Sequence, residues 1–349
     1  MENAVFAFRL EGEPVECRAL GHGHINSTFK ITTDRGRQYV LQRINRNVFR
    51  DPAALMDNGG AVTDFIRQHA GVTLHYLATR EGKLYHQDGQ GEYWRMYDFI
   101  AGFCLDLPES AEDFYQSALA FGRFQELLAE FPAQTLRETI PNFHNTIDRY
   151  QKFRRAVEAD SSNRLAMVGE EVEFFVEREE RATWLQRMRE AGELPLRVTH
   201  NDTTLNNVLL DPTTRKALCV LDLDTVMPGL SAYDFGDAIR SGAATAAEDE
   251  TDLTKMELDL NLFRAFTRGF LEAAVSLTDR EVEVLPLGAY VMTLETAMRF
   301  LTDYLEGDVY YKTQYPDHNL IRARSQMKLL SDMERKMDEM ERIVAEIRK

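Results

Sequence analysis

The chain has 349 residues, a net charge of −16 and a pI near 5.0. Hydrophobic residues make up 44% and charged residues 28%, which suits a globular protein with a sizeable core and one or two lobes. The acidity argues against nucleic acid as a main partner, because phosphate backbones attract basic faces. Cys17, Cys104 and Cys219 lie far apart with no metal-ligand spacing, and read as small buried apolar residues in a reducing compartment. No stretch reads as a signal peptide or a membrane span, so the expected location is the cytoplasm.

From about Cys17 to Ile44 the chain alternates in a strand-like way around turns, with Gly21 and Gly23 in the first loop and Asp34-Arg35-Gly36-Arg37 in the second. Glycines in a hairpin over a cleft can expose backbone amides to phosphate oxygens, and they also occur in ordinary hairpins. Asp51-Pro52 opens a helix running to about His69, a cap followed by proline in the first turn. Leu74–Leu77 and Gly91–Ile100 read as two further strands. Met96, Tyr97 and Phe99 in the second are candidates both for a nucleotide-facing edge and for plain core.

From about Glu109 the pattern turns helical, with Phe114, Ala118, Phe121, Phe124, Gln125 and Leu128 near one face. Helices are expected over Phe143–Asp160, Gly169–Ala191, Ala232–Gly242, Met256–Val275, Glu281–Glu306 and Asn319–Ile347. Between the last two lies a linker containing Tyr304, Tyr310, Tyr311 and Tyr315. It suits either stacking against a sugar ring or packing as an amphipathic seam.

The chemistry-bearing stretch is His200-Asn201-Asp202-Thr203-Thr204-Leu205-Asn206-Asn207, followed by two apolar runs around Asp211-Pro212-Thr213-Thr214 and then Asp222. An acid, an amide five residues on, a hairpin and a second acid form the layout of a phosphoryl-transfer site. Asp202 would accept the proton of an attacking hydroxyl. Asn207 and Asp222 would offer oxygens to Mg2+ on the phosphates of ATP, as hard cations prefer. Asp234-Phe235-Gly236 spells another metal triplet but lies too far along the chain for one short hairpin. Asp234 therefore reads as a buried acceptor for donors of the catalytic loop.

At these residues the chain resembles the aminoglycoside phosphotransferase/choline kinase superfamily, whose catalytic loop reads H-G-D-x-x-x-x-N. His200, Asp202, Asn207, Asp222 and Asp234 match that pattern, and Asn201 replaces its glycine. The resemblance implies an α+β, protein-kinase-like two-lobed fold. A small antiparallel sheet lobe over residues 1–100 would cover the nucleotide, and a larger helical lobe over 101–349 would hold the catalytic loop and acceptor site. On the third strand, where such kinases carry a Lys or Arg for the phosphates, stand Gln42 and Arg43, of which only one can face the cleft.

Gly21-His22-Gly23-His24-Ile25-Asn26, Leu41–Asn45, Arg95–Ile100, Asp222–Gly229 and Met298–Tyr311 sharpen the likeness to anomeric sugar kinases typified by N-acetylhexosamine 1-kinases. That likeness implies transfer from ATP to the C1 hydroxyl of GlcNAc or GalNAc. His24, Asp224, Arg299 and Tyr311 are then candidate sugar contacts, as is Arg240 at the opening of a helix lining the site. The alternative keeps the chemistry and changes the acceptor to choline, ethanolamine, homoserine, methylthioribose or an aminoglycoside. No protein, nucleic-acid or membrane partner is expected.

Overall fold

The computed structural model describes residues 2–20 and 26–348. A short helix α1 (Glu2–Val5) precedes an antiparallel sheet of β1 (Pro14–Ala19), β2 (Ser27–Thr33), β3 (Gln38–Ile44), β4 (His86–Gln87) and β5 (Tyr93–Asp98). Its order is β1-β2-β3-β5-β4, and α2 (Pro52–Gln68) is inserted between β3 and β4. The Asp51 carboxylate caps α2 by accepting from the Ala54 amide, and Pro52 fills the first turn.

Strand periodicity sorts the sheet's side chains. Ile31, Tyr39, Leu41, Trp94 and Met96 form one small core with Ala4, Val5, Phe8 and Leu77. Ile44, Tyr93 and Tyr97 face the opposite way and join the main core.

After the sheet come α3 (Ala111–Leu127), α4 (Thr146–Ala159), α5 (Gly169–Ala182), α6 (Trp184–Glu190), the pair β6 (Arg197–Thr199) and β9 (Met227–Gly229), and the hairpin β7 (Val208–Leu210) with β8 (Ala217–Val220). Five helices close the chain: α7 (Ser231–Gly242), α8 (Leu260–Ala273), α9 (Asp279–Glu283), α10 (Leu285–Glu306) and α11 (His318–Arg348). The fold is thus the expected α+β arrangement of an N-terminal antiparallel sheet and a helical C-terminal part. The main hydrophobic cluster crosses residue 100, joining Leu55, Val62 and Ile66 of α2 to Phe121, Phe235 and Phe270. The sheet and the helices therefore differ in architecture while sharing a core. Among the described residues no helix is long and apolar enough to cross a membrane.

Several sequence expectations need correcting. The strand expected over Leu74–Leu77 forms only a bridge from Tyr76 to Tyr97, and β4 takes the sheet edge. The helix expected over Gly169–Ala191 breaks at Thr183, whose hydroxyl donates back to Glu179 O (2.9 Å). The helix expected from Glu281 divides at Val284, because Pro286 lacks an amide donor and starts a new helix. Cys17 and Cys104 are exposed. Cys219 alone of the three is buried, and burial pushes its thiol up to about 12.

α10 is apolar around most of its circumference, as befits a helix with protein on nearly every side. It crosses α7 at two glycines. A Cβ on Gly288 would lie 2.3 Å from Ala232 O, and one on Gly236 would lie 2.3 Å from Gly288 O. Gly288→Ala is therefore expected to force the two helices apart and to destabilise the protein by about 1–3 kcal/mol, read from urea unfolding. An unchanged midpoint would show that the crossing has slack.

Candidate active site

The catalytic loop runs from His200 to Asn207, between β6 and β7. Asn201 adopts φ 64°, a left-handed conformation that asparagine tolerates better than most residues, which explains its place at a glycine position. The turn is held from below by Asp234 on α7. Its carboxylate accepts from the amides of His200 (2.9 Å) and Asn201 (2.8 Å) and from the Gln125 side chain (2.7 Å). This is the structural role expected for Asp234.

Thr203 reinforces the anchor, with its hydroxyl donating to Asp234 O (2.5 Å) and its amide to Asp237 Oδ2 (2.9 Å). The His200 ring sits edge-on to Phe121 and Phe124. One ring nitrogen bonds Leu221 O (2.8 Å), and the other accepts from the Asp202 amide (3.3 Å), so the network assigns the neutral tautomer with its proton on Nε2.

Asp202 and Asn207 come together as expected: Asn207 Nδ2 donates to Asp202 O (2.9 Å) and to Asp202 Oδ2 (3.1 Å). Those bonds leave the Asn207 carbonyl oxygen as the atom available to a cation. Asp222 follows β8 at φ 51°, and the Leu221 amide bonds Asn207 O (2.8 Å), placing the strand end beside the loop. Burial and the nearby Asp237 charge push the Asp202 carboxyl above the usual range, against the opposing pull of Asn207 and Arg240.

Asp222 is pushed up to about 7 by burial, then by Asp224 and Asp202, with Arg95 opposing. It is crowded by protein atoms, yet the residue itself is exposed to solvent. No cluster of three or more His, Cys, Asp or Glu able to hold a metal occurs among the described residues. The donor set here is instead two carboxylates and an amide, with a local excess of negative charge. That set suits a hard divalent cation.

Other expected contacts are redistributed. Gln42 faces the cleft and Arg43 faces out, where it is exposed and donates to Ser27 Oγ (3.3 Å). Met96 is fully buried in the outer core and cannot touch a ligand. Tyr97 points to the cleft side, edge-on to Tyr76. Phe99 lies under Lys30 Nζ, 3.8 Å from the ring centroid.

Asp224 lies on a helical turn and not on a strand, and its carboxylate is committed to protein partners. Oδ1 pairs with Arg95, and Oδ2 accepts from Asn26 (2.7 Å). Arg240 is likewise committed, to Asp237 (2.9 Å) and Glu248 (2.9 Å). Gly21, Gly23 and His24 lie outside the described residues.

Arg299 and Tyr311 do meet. They line one cavity of about 730 Å3 bounded by the start of α2, the segment 137–143, α4 and α10. The Arg299 guanidinium lies 5.5–5.9 Å from the ring centroids of Tyr311, Tyr310 and Phe143. It makes no hydrogen bond to the described residues. The tyrosine linker is pinned by Asp303, whose carboxylate accepts from the amides of Val309, Tyr310 and Tyr311 (2.7–3.0 Å).

Sequence reasoning missed Arg95, Asp237 and Asp303. Arg95 carried a signal, as a lone cation inside an aromatic strand.

Residues 16–273 match the phosphotransferase enzyme family, and the chain belongs to that family. It is a phosphotransferase on a kinase-like fold. Its structure is similar over most of its length to solved members of that fold. An aminoglycoside phosphotransferase from Alicyclobacillus acidocaldarius is 14% identical with a TM-score of 0.63, covering 97% of this chain and 96% of that one. A microcompartment-associated aminopropanol kinase is 14% identical with a TM-score of 0.65, covering 97% of each chain. An amicoumacin kinase, solved with AMP-PNP and Ca2+, is 12% identical with a TM-score of 0.62, covering 96% of this chain and 92% of that one.

Asp234→Ala would strand two buried amides and the Gln125 side chain. It is expected to cost at least about 2 kcal/mol of stability and to lower kcat through the loosened loop. Chemical denaturation beside steady-state kinetics checks both, and a stable variant of full activity would remove Asp234 from its anchoring role.

Proposed function

We propose that this phosphotransferase moves the γ-phosphoryl group of ATP to the anomeric C1 hydroxyl of an N-acetylhexosamine. The observation that carries the acceptor reading is the lining of the cavity between the start of α2, the segment 137–143, α4 and α10. Arg50, Arg137, Arg149, Lys152 and Arg299 face Asp51, Glu138, Asp303 and Glu306 there, among Phe143, Tyr310 and Tyr311. Asp303 is already taken by backbone amides. A lining with more basic than acidic side chains opposes a cationic acceptor such as choline or an aminoglycoside, which needs carboxylates or an open aromatic cage. It favours a neutral polyol, with ring faces for its carbon skeleton and N–H donors for its hydroxyl and acetamido oxygens.

Arg299 links this cavity to the chemistry. It and Arg240 lie within electrostatic range, and Arg240 acts in turn on Asp202. The Asp202 carboxylate receives the proton of the attacking hydroxyl as the new O–P bond forms and the bond to the leaving ADP breaks. Its raised pKa makes it a stronger base than an exposed aspartate, and an anomeric hydroxyl is more acidic than an ordinary alcohol. Bound Mg2+ would neutralise charge on the phosphate oxygens. The Asn207 carbonyl and the Asp222 carboxylate are the side chains placed to hold it. ATP as donor is supported by the AMP-PNP in the amicoumacin kinase complex.

A second reading, with an amino alcohol or aminoglycoside acceptor, draws on the acceptors named for the solved relatives and on the chain's net charge of −16.

Incubation with ATP, Mg2+ and a panel of free sugars and amino alcohols separates the two. The expected product is an N-acetylhexosamine 1-phosphate, seen as loss of the reducing end, and turnover of amines alone would overturn the reading. Asp202→Asn is expected to cut kcat by at least about 100-fold with nucleotide affinity nearly unchanged. Retained turnover would remove Asp202 from its role.

The Asp222 shift gives a further test. A carboxyl raised to about 7 in the folded protein holds its proton against a cation below that pH, and its ionised form burdens the fold above it. Thermal stabilisation by Mg2+ is therefore expected to be small near roughly pH 5.5 and to grow through roughly pH 8. A stabilisation independent of pH would place the cation elsewhere.

A further inference from the structure

Gln42 stands on β3 where a phosphate-binding cation would be needed, and across the ladder its partner on β5 is Arg95. Arg95 is 2% exposed, a costly place for a guanidinium unless it is held on purpose. It is held on two sides. Nε donates to Gln42 Oε1 (2.9 Å), and Nη1 pairs with Asp224 Oδ1. Both partners are themselves fixed: the Gln42 amide donates to Thr28 Oγ1 (3.0 Å), and Asn26 Nδ2 donates to Asp224 Oδ2 (2.7 Å). Asn26 is tied in turn to β3 through the Asn45 amide (3.0 Å).

The remaining terminal nitrogen, Nη2, makes no hydrogen bond to the described residues. The guanidinium also acts electrostatically on Asp222.

We propose that Arg95 is the cation that grips the nucleotide's phosphates, delivered from β5 because β3 carries glutamine. A guanidinium has two edges. Gln42 takes Nε and Asp224 takes Nη1, one donor from each edge, so the plane is fixed and Nη2 is the nitrogen left to meet phosphate oxygens without a search of rotamers. Gln42 is a positioning residue in this arrangement. Its carbonyl oxygen sets the Arg95 plane, a task that a lysine at the same place could not perform. Asp224, two residues beyond Asp222, ties the phosphate grip to the cation site. The sheet and the catalytic hairpin are thereby registered to each other at the point of transfer.

The proposal rests on phosphoryl transfer from a nucleotide and on Asp222 as a cation ligand, and it is indifferent to the acceptor. Its test therefore uses nucleotide alone. Calorimetry compares ATP, ADP and adenosine, each with Mg2+, on the wild type and on the pair Arg95→Met with Asp224→Asn. The two substitutions are made together so that no lone buried carboxylate is left. Affinity for ATP and ADP is expected to fall about tenfold or more, while adenosine binding stays within about twofold.

Adding Gln42→Lys to that pair restores a cation at the β3 position and is expected to recover most of the loss, which a purely structural role for Arg95 would not allow. Equal losses for all three ligands, no loss for any, or no recovery with Gln42→Lys would each overturn the proposal. Should the pair fail to fold, Arg95→Lys keeps the charge but cannot hold Asp224 and reach phosphate at once. Unchanged ATP affinity in that variant overturns the proposal equally.

Discussion

The site depends on one buried carboxylate. Asp234 is 1% exposed and accepts from two consecutive backbone amides and a side-chain amide. The amides it takes up are those of the tight turn at Asn201, where the chain reverses and no helix or strand partner is available. A buried amide without a partner costs about 1–3 kcal/mol, so the loop has this shape only while α7 supplies the acceptor. α7 in turn reaches the loop because Gly236 and Gly288 let it press against α10. Helix packing thus fixes the position of Asp202.

Above that anchor the cleft gathers negative charge. Burial raises the cost of ionising Asp202 and Asp222, and the charge of Asp237 adds to it at Asp202 and those of Asp224 and Asp202 at Asp222. Arg95 and Arg240 offset this charge from opposite sides, one from the sheet and one from α7. The offset is incomplete at Asp222. An acid raised to about 7 beside a free amide oxygen is a site that gains by taking up a cation.

The cavity that holds Arg299 is built on a different plan. Its tyrosine linker has no regular structure, and its shape is imposed by Asp303 through three backbone amides, with Asn319 Nδ2 also donating to that carboxylate (2.8 Å). A linker fixed in this way can present Tyr310 and Tyr311 as rigid faces. Arg299 then lies against them with its N–H groups uncommitted, whereas Arg240 beside it is fully engaged.

The sequence by itself determined the local chemistry and most of the elements. The spacing of Asp202, Asn207 and Asp222 around a hairpin identified a phosphotransferase. Capping and periodicity placed α2, α3 and α11, and the surplus acid predicted Asp234 as an acceptor. These features are legible because their causes lie within a few residues of one another.

Tertiary structure decided what depends on which face meets what. The ladder between β3 and β5 turned Gln42 inward and Arg43 outward, sent Met96 into the core, and set the buried Arg95 opposite Gln42. The same packing drew Asp224 to the sheet, onto Arg95 and Asn26. A charged residue's role is set by the partner that burial forces upon it. That partner, 129 residues away for Arg95 and Asp224, is invisible until the chain is folded.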